Sequence, residues 1–337
     1  MNRNKITYQT LRKKYQAKRK TKKWIKRKTL HKRERLFEIQ RYYDRIKKGV
    51  LNHKAPKDFS FVDNPQNVLS YFNQITDFVC DNQPVNIDIR EIETLTPDTI
   101  ILLIAKLSDK KSKRVGLSGN APKEPILHRM FLESGLYNFV KSKGAKPIAP
   151  NNKLWKHSTN NQVKGEMAGQ ATEICKIMFA KNNIIYDSDN LYNLLVEAMS
   201  NTINHADSNK HQMNWWLYYF IDEVNEKIKY SFIDLGIGIF KSANFDSYRK
   251  LFNIFLTGNE LLVKPFLEGK IISSRENDNE ISGKGVKQII SCAELSEFIN
   301  FTIITNDIKI NVKTKASESL NANFDGTLIY FEISYKK

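Results

Sequence analysis

The chain has 337 residues, of which 41% are hydrophobic and 19 are Phe, so it can bury a sizeable core and form two domains. No apolar run approaches the ~20 residues that a transmembrane helix needs, and the N-terminus lacks the apolar core of a signal peptide. Cys80, Cys175 and Cys292 are odd in number and lack metal-ligand spacing, which argues against a disulfide framework and favours a reducing compartment. We therefore expect a folded cytoplasmic protein with all three cysteines in its core.

The formal net charge of +18 is concentrated at one end of the chain. Residues 1–54 hold 21 Lys/Arg against 3 Asp/Glu, and the remainder carries 33 of each sign. Residues 8–48 read as a basic helix with interleaved aromatic side chains, a composition that suits a phosphate backbone. A solubilising arm, an anionic membrane surface and an acidic protein fit the same composition. No zinc finger or base-reading motif is visible, so a nucleic acid would be bound with weak sequence specificity.

Residues 55–142 alternate between strand-like and helix-like patterns. PVNIDIREI and KRVGLSG read as strands, and TPDTIILLIAKLSD and EPILHRMFLESGLYNFV read as helices, which together predict a small α/β module. The order resembles the STAS domain of anti-sigma-factor antagonists. That family carries a phosphoacceptor serine before its first long helix. Here Thr96 or Thr99 would stand in for it, and helix capping is the ordinary alternative.

Residues 143–164 are rich in Pro, Gly and Asn and read as a linker before a second domain at residues 165–337. Within that domain, LLVEAMSNTINHA predicts an amphipathic helix that begins near YDSDN, where Asp or Ser can cap it. At about 100° per residue, Glu197, Asn201 and Asn204 fall within a wedge of roughly 60°. A carboxylate and two carboxamides therefore share one polar stripe beside an apolar face.

Two glycine-containing turns follow this helix. MNWWLYYFID and KIKYSFID read as strands, the second ending at Asp234 with Gly236 and Gly238 just beyond it. Later, SGKGVKQII places Gly283 and Gly285 before a helix whose first amides could receive phosphates. The chain closes with the predicted strands FINFTIITN, KINVKTKA and GTLIYFEIS.

These four motifs, in this order, resemble the superfamily of ATPases named for gyrase, histidine kinases, heat-shock chaperones and MutL (GHKL). EAMSNTINHA matches the family's N-box, DLGIGI and SGKGV its two glycine boxes, and GTLIYFEI its closing strand. The resemblance covers about 150 residues, from near Asp187 to the end. It implies a Bergerat-type two-layer α/β sandwich, with helices on one face of a mixed sheet and a nucleotide lid between the glycine boxes.

The resemblance also implies site residues, with ATP and Mg²⁺ as ligands. Glu197 would be the general base, Asn201 would coordinate Mg²⁺, and Asp234 would bind the adenine amine. Further nucleotide contacts would come from Asn204, His205, Gly236, Gly238, Arg275, Gly283, Lys284, Gly285 and Thr327. For three of these there is an alternative: Lys284 and Arg275 as solvated charges, and His205 as a structural residue.

Two departures from the family pattern affect the expected function. The second glycine box lacks the usual glycine-leucine continuation, and residues 245–270 form a long apolar insertion, either a helical lid or a partner-binding surface. No histidine phosphoacceptor signature precedes the site. The sequence thus favours a slow Mg²⁺-dependent ATPase that switches a protein partner, with a homodimer possible. Two alternatives remain: an anti-sigma-type serine/threonine kinase, and a nucleic-acid-binding effector or defence component that uses ATP only as a conformational ligand.

Overall fold

The structure is a computed structural model, and its secondary structure is mixed α/β, as the sequence predicted. It describes most of the chain from residue 18 onward. The described residues are 18–20, 22–23, 26, 29–30, 32–41, 44, 47–108, 117–138, 154–158, 163–204, 214–242, 259–270 and 284–336.

The basic arm is helical at every described position from residue 18 to residue 48. All of its described side chains between residues 18 and 41 are exposed. The arm meets the following module at its C-terminal end, where Lys48 Nζ donates to the Asp81 carbonyl at 2.6 Å and Asn82 Nδ2 donates to the Arg41 carbonyl at 3.1 Å. The described cations between residues 18 and 41 are therefore presented to solvent.

The central module is built on parallel strands. Strands β1 (Leu51–Lys54), β3 (Val85–Asp88) and β5 (Leu117–Gly119) form a three-stranded parallel sheet in the order β1-β3-β5. Strands β2 (Asp58–Phe59) and β4 (Thr94–Leu95) make a second, two-stranded parallel pair. Strand β1 lies inside the range that the sequence assigned to the basic arm, and its pairing with β3 makes it part of this module.

Three helices accompany the central strands: α1 (Pro65–Cys80), α2 (Pro97–Ser108) and α3 (Pro125–Glu133). Each begins with proline, whose fixed φ suits the first helical turn and whose missing N–H costs nothing there. The expected strands and helices of this module are present, and α1, β1, β2 and β4 are additions. Cys80 at the end of α1 is exposed, so the expectation that all three cysteines are buried is wrong for this one.

The C-terminal region contains a five-stranded sheet in the order β6-β7-β8-β10-β9. Every adjacent pair is antiparallel, whereas the family resemblance implied a mixed sheet. The predicted linker contributes the first strand, which pairs with β7. The sequence predicts three strands at the C-terminus, and the structure has two. Strand β9 continues through residues 309–311, which the sequence assigned to the start of a separate strand. The strands are β6 (Leu154–Ser158), β7 (Asn214–Asp222), β8 (Lys227–Asp234), β9 (Phe298–Asn311) and β10 (Ala316–Ser334).

One face of this sheet is covered by helices of the same region. They enclose an apolar core with alternate residues of β7 and β8, among them Trp215, Leu217 and Phe232. Part of the apolar insertion joins this core, since Phe266 is fully buried against Phe240. The helices are α4 (Gly165–Lys181), α5 (Asp189–Asn204), α6 (Ile239–Ser242), α7 (Glu260–Leu267) and α8 (Lys284–Glu294).

The opposite face of the sheet is covered by the central module. Helix α2 packs against β7 and β8, and α1 packs against β10. Trp216, Tyr218 and Ile233 lie in one buried cluster with the apolar side chains of α1 and α2. The resemblance implied helices on one face only. The continuous apolar run of β7 explains the difference, because a strand with both sets of alternate residues apolar needs cover on both faces.

Candidate functional site

Helix α5 carries the predicted Glu/Asn stripe. It begins at Asp189, whose backbone N–H donates to Asp187 Oδ1 at 3.1 Å, so the capping signal in YDSDN is used. Its apolar face, including Leu194 and Met199, is buried in the core. Glu197 and Asn201 are half-buried beside that face. Burial raises the pKa of Glu197 above its ordinary value, which makes its carboxylate a stronger proton acceptor.

The second glycine box packs directly on this stripe. A methyl group placed on Gly285 would lie 2.7 Å from Asn201 Oδ1 and 2.8 Å from Glu197 Oε2. Both distances are below the closest approach that a real Cβ makes, so a larger residue at this position would displace one or both of these side chains. Gly285 belongs to the first turn of α8, where backbone N–H groups have no partner within the helix. Two side-chain oxygens and the N-terminus of a helix therefore meet at one point.

Asp234 ends β8 and is 9% exposed. Its Oδ1 accepts a hydrogen bond from the Gly236 N–H at 2.7 Å, which closes the turn after the strand. Thr327 of β10 lies directly opposite in the antiparallel register and hydrogen-bonds the same carboxyl group. Burial raises the pKa of Asp234 to about 6, against the opposing effect of these hydrogen bonds. The carboxyl group is thus fixed and largely removed from water.

The glycines around Asp234 allow close backbone approach. Gly238 has φ +83°, and a methyl group there would lie 2.5 Å from Asn306 Nδ2. Gly326 has φ +151°, and a methyl group there would collide with the backbone carbonyl oxygen of Asp234. Glycine is therefore required at both positions, by conformation and by space.

Thr305 and Asn306 of β9 also contact this turn, and the sequence did not single them out. Both side chains are fully buried and hydrogen-bond the backbone of residues 237–240. The only sequence signal is a pair of polar residues at the end of the apolar run FINFTII. A polar pair there is equally typical of a strand that ends in solvent.

The structure thus brings the predicted residues together in two groups. Glu197, Asn201 and Gly285 form one, and Asp234 with its glycines and Thr327 forms the other. Asn204 and Lys284 lie at the ends of α5 and α8, with only their backbone described. His205, Arg275 and Gly283 lie outside the described residues.

Of the two candidate phosphoacceptors in the central module, Thr96 is half-buried with its Oγ1 3.1 Å from that of Thr99, and Thr99 has a structural role. Thr99 is fully buried, and its Oγ1 accepts the Phe61 N–H at 2.6 Å. Asp98 is also buried and accepts the Val62 N–H at 2.8 Å. Together they join the start of α2 to the segment before α1, which is a tertiary contact and not the helix capping that the sequence suggested as the alternative.

The Asn201 side chain supplies one oxygen of the kind that a magnesium ion bound with phosphate would use. Among the described residues there is no cluster of three or more His, Cys, Asp or Glu side chains that could hold a metal ion. Magnesium commonly takes one or two protein oxygens and completes its shell with phosphates and water. The Asn201 amide oxygen beside the N-terminus of α8 has this character.

No helix in the described part of the chain is both long and apolar enough to cross a bilayer. The chain matches no known family model, and no curated protein matches it significantly.

Proposed function

We propose that the chain binds ATP with Mg²⁺ and hydrolyses it slowly, in the manner of a GHKL ATPase, to switch a partner protein. The proposal rests on one observation, the close approach of Gly285 to the side chains of Glu197 and Asn201. These residues were picked out by motif from two segments about 90 residues apart in sequence, and their side chains and backbone touch in the fold. A chance resemblance of isolated strings would not be expected to bring them together.

Each group has a distinct chemical task in this proposal. The first N–H groups of α8 bind phosphate oxygens, since a helix N-terminus carries partial positive charge. The Asn201 amide oxygen holds Mg²⁺, which when bound would neutralise phosphate charge. Glu197, with its raised pKa, orients a water molecule and accepts its proton. Phosphoryl transfer needs mainly such positioning and charge compensation.

The second group of residues would recognise the base. The Asp234 carboxylate accepts a hydrogen bond from an exocyclic amine, with Thr327 holding the carboxylate from the neighbouring strand. Gly238 leaves room for the Asn306 amide that packs on this turn, so its part in base recognition is indirect. A buried carboxylate that accepts from an amine discriminates well against a base that lacks it, because the carboxylate would otherwise remain desolvated.

The proposal is tested by incubating the protein with ATP labelled at the γ-phosphate. Release of free labelled phosphate supports hydrolysis. Label retained on protein supports the kinase alternative instead, whereas binding of ATP without either product supports a conformational ligand. Absence of Mg²⁺-dependent ATP binding would contradict the proposal as a whole.

A second candidate function is nucleic-acid binding by the basic arm. Every described cation between residues 18 and 41 is exposed, so the arm offers a dense positive surface to a phosphate backbone. A duplex carries one negative charge per ~1.7 Å of its axis, twice the density of a single strand, and therefore attracts such a surface most strongly.

A further inference from the structure

Strand β9 reaches the Asp234 turn although it is not adjacent to β8. Strand β10 lies between them in the sheet. The register of β10 against β9 jumps from the pair Phe324–Asn306 to the pair Thr327–Thr305, leaving Asp325 and Gly326 as extra residues on β10. This bulge distorts the intervening strand where β9 carries Thr305 and Asn306. Both side chains consequently contact the loop that follows β8.

Asn306 uses both ends of its amide on that loop. Its Nδ2 donates to the Ile237 carbonyl at 2.8 Å, and its Oδ1 accepts the Phe240 N–H at 3.0 Å. The amide plane lies against Gly238, where no methyl group would fit. Asn306 itself has φ +54°, a left-handed conformation that asparagine tolerates better than most residues. The amide therefore bridges the two sides of the glycine turn.

Thr305 completes the attachment. Its Oγ1 accepts the Ile239 N–H at 2.9 Å and donates to the Gly326 carbonyl at 3.0 Å. Gly326 precedes Thr327 and presses on the backbone of Asp234. One hydroxyl group thus ties the glycine turn to the start of the segment that holds the Asp234 carboxylate.

We propose that Asn306, assisted by Thr305, is a positioning residue that keeps the Asp234–Gly238 turn in its nucleotide-binding shape. The inference rests on the proposed function and adds a residue to it that no motif contains. Asn306 acts on the base-recognition side, whereas Glu197 and Asn201 stand on a different element. Loss of the Asn306 amide should therefore weaken nucleotide affinity and leave the chemical step at saturating ATP unchanged.

The experiment compares Asn306→Gly with Asn300→Gly in the full chain. Asn300 lies on the same strand with φ +51°, and its Nδ2 donates to Glu332 at 3.0 Å, so the control loses a side-chain hydrogen bond at a left-handed position remote from the turn. Glycine accepts both conformations without strain. The readouts are Kd for Mg-ATP, kcat at saturation, and hydrogen exchange of the Phe240 amide.

We expect Asn306→Gly to raise Kd about tenfold or more, from the loss of two hydrogen bonds, with kcat within about twofold and faster exchange at Phe240. Asn300→Gly should leave all three readouts unchanged. Thr305→Val keeps the side-chain shape and loses the hydroxyl bonds to Ile239 and Gly326, so it should raise Kd less and serves if the glycine variant does not fold. An unchanged Kd in that variant, with faster exchange of the Ile239 amide, overturns the proposal equally.

An unchanged Kd in a folded Asn306 variant whose Phe240 amide has lost protection overturns the positioning role alone. A parallel fall of kcat and affinity also overturns it, because a general structural role would produce that pattern. Failure of the unmodified protein to bind Mg-ATP overturns the proposed function, and the inference with it.

Discussion

Gly285 lies against the side chain of Asn201, with space for hydrogen but not for a methyl group, which would lie 2.7 Å from Oδ1. The contact joins α8 to α5 at the residue proposed to hold Mg²⁺. The N–H groups at the start of α8 are therefore close to the amide oxygen of Asn201. A magnesium–phosphate site requires this proximity, and one methyl group added at residue 285 would disturb it.

Gly285→Ala should abolish ATP hydrolysis and weaken nucleotide binding at least tenfold, because the new methyl group displaces Asn201 or Glu197. Helix propensity alone would favour the change by up to ~1 kcal/mol. Gly169→Ala is a matched control, since Gly169 lies in α4 with nothing within 4 Å of the added carbon. The control should be slightly stabilised with unchanged activity. Normal hydrolysis by Gly285→Ala would contradict the site geometry.

Gly238→Ala should lower the free energy of unfolding by more than backbone strain alone would. At φ +83°, alanine costs about 1–2 kcal/mol, and the methyl group also collides with Asn306. Gly49 has φ +69° with nothing within 4 Å, so Gly49→Ala carries the strain alone. Urea denaturation should show a larger loss for Gly238→Ala, and only that variant should bind ATP more weakly. Equal losses would indicate that the contact with Asn306 is unimportant.

Asp234→Asn should change how stability depends on pH. Because burial raises the pKa of Asp234 from 3.8 to about 6, the folded state binds more protons between these values than the unfolded state does. The stability from the protonated group is present below about pH 4 and lost as pH rises through about 6, by at most ~3 kcal/mol. Asp234→Asn removes that loss. Its free energy of unfolding should therefore fall less than that of the unmodified protein between pH 4 and pH 7.

Asp98→Asn is the control for this pH experiment. Burial raises the pKa of Asp98 to about 6 as well, in the central module. Both variants should flatten the pH dependence of stability, but only Asp234→Asn should weaken ATP binding, by about five- to tenfold through loss of a charge-assisted hydrogen bond. Equal nucleotide affinities for both variants would remove Asp234 from base recognition.

Replacing the cations Lys18, Arg19, Lys20, Lys22 and Lys23 by glutamine should weaken duplex binding and make log Kd depend less steeply on log salt. Each lost phosphate contact lowers the slope by about 0.9 for B-DNA. ATP binding should be unaffected. A deletion of the arm should stop before Leu51, because β1 pairs with β3. Unchanged binding at 150 mM salt would reject the arm as the contact.

Much of the fold around the site could be predicted because the sequence carries local signals for it. The capping residues and apolar stripe of α5 specify a helix, and that helix is present from Asp189 to Asn204. The run MNWWLYYFID indicated a buried strand. Apolar and polar residues do not alternate in this run, which indicates a strand covered on both faces. In the fold, Trp215 and Trp216 lie in different apolar clusters, one on each face. What covers the second face could not be read from the strand itself.

Other features depend on long-range pairing and left no local pattern. Strand β6 lies in a stretch rich in Asn and Pro and forms by pairing with β7. The role of Asn306 requires the two-residue bulge in β10, which brings β9 to a turn about 70 residues earlier in sequence. Motifs found Asp234 and Gly238. Asn306, which packs on Gly238 and bonds the backbone on either side of it, was visible only in the fold.

Glu197→Gln offers the most direct test of the central claim, because it removes the proposed base while preserving shape. Mg-ATP binding and phosphate release should be measured together, with Glu173→Gln, an exposed position on α4, as control. The account predicts that Glu197→Gln binds Mg-ATP with Kd within about threefold of the unmodified protein and releases phosphate at least a hundredfold more slowly. Phosphate release at the unmodified rate would contradict it.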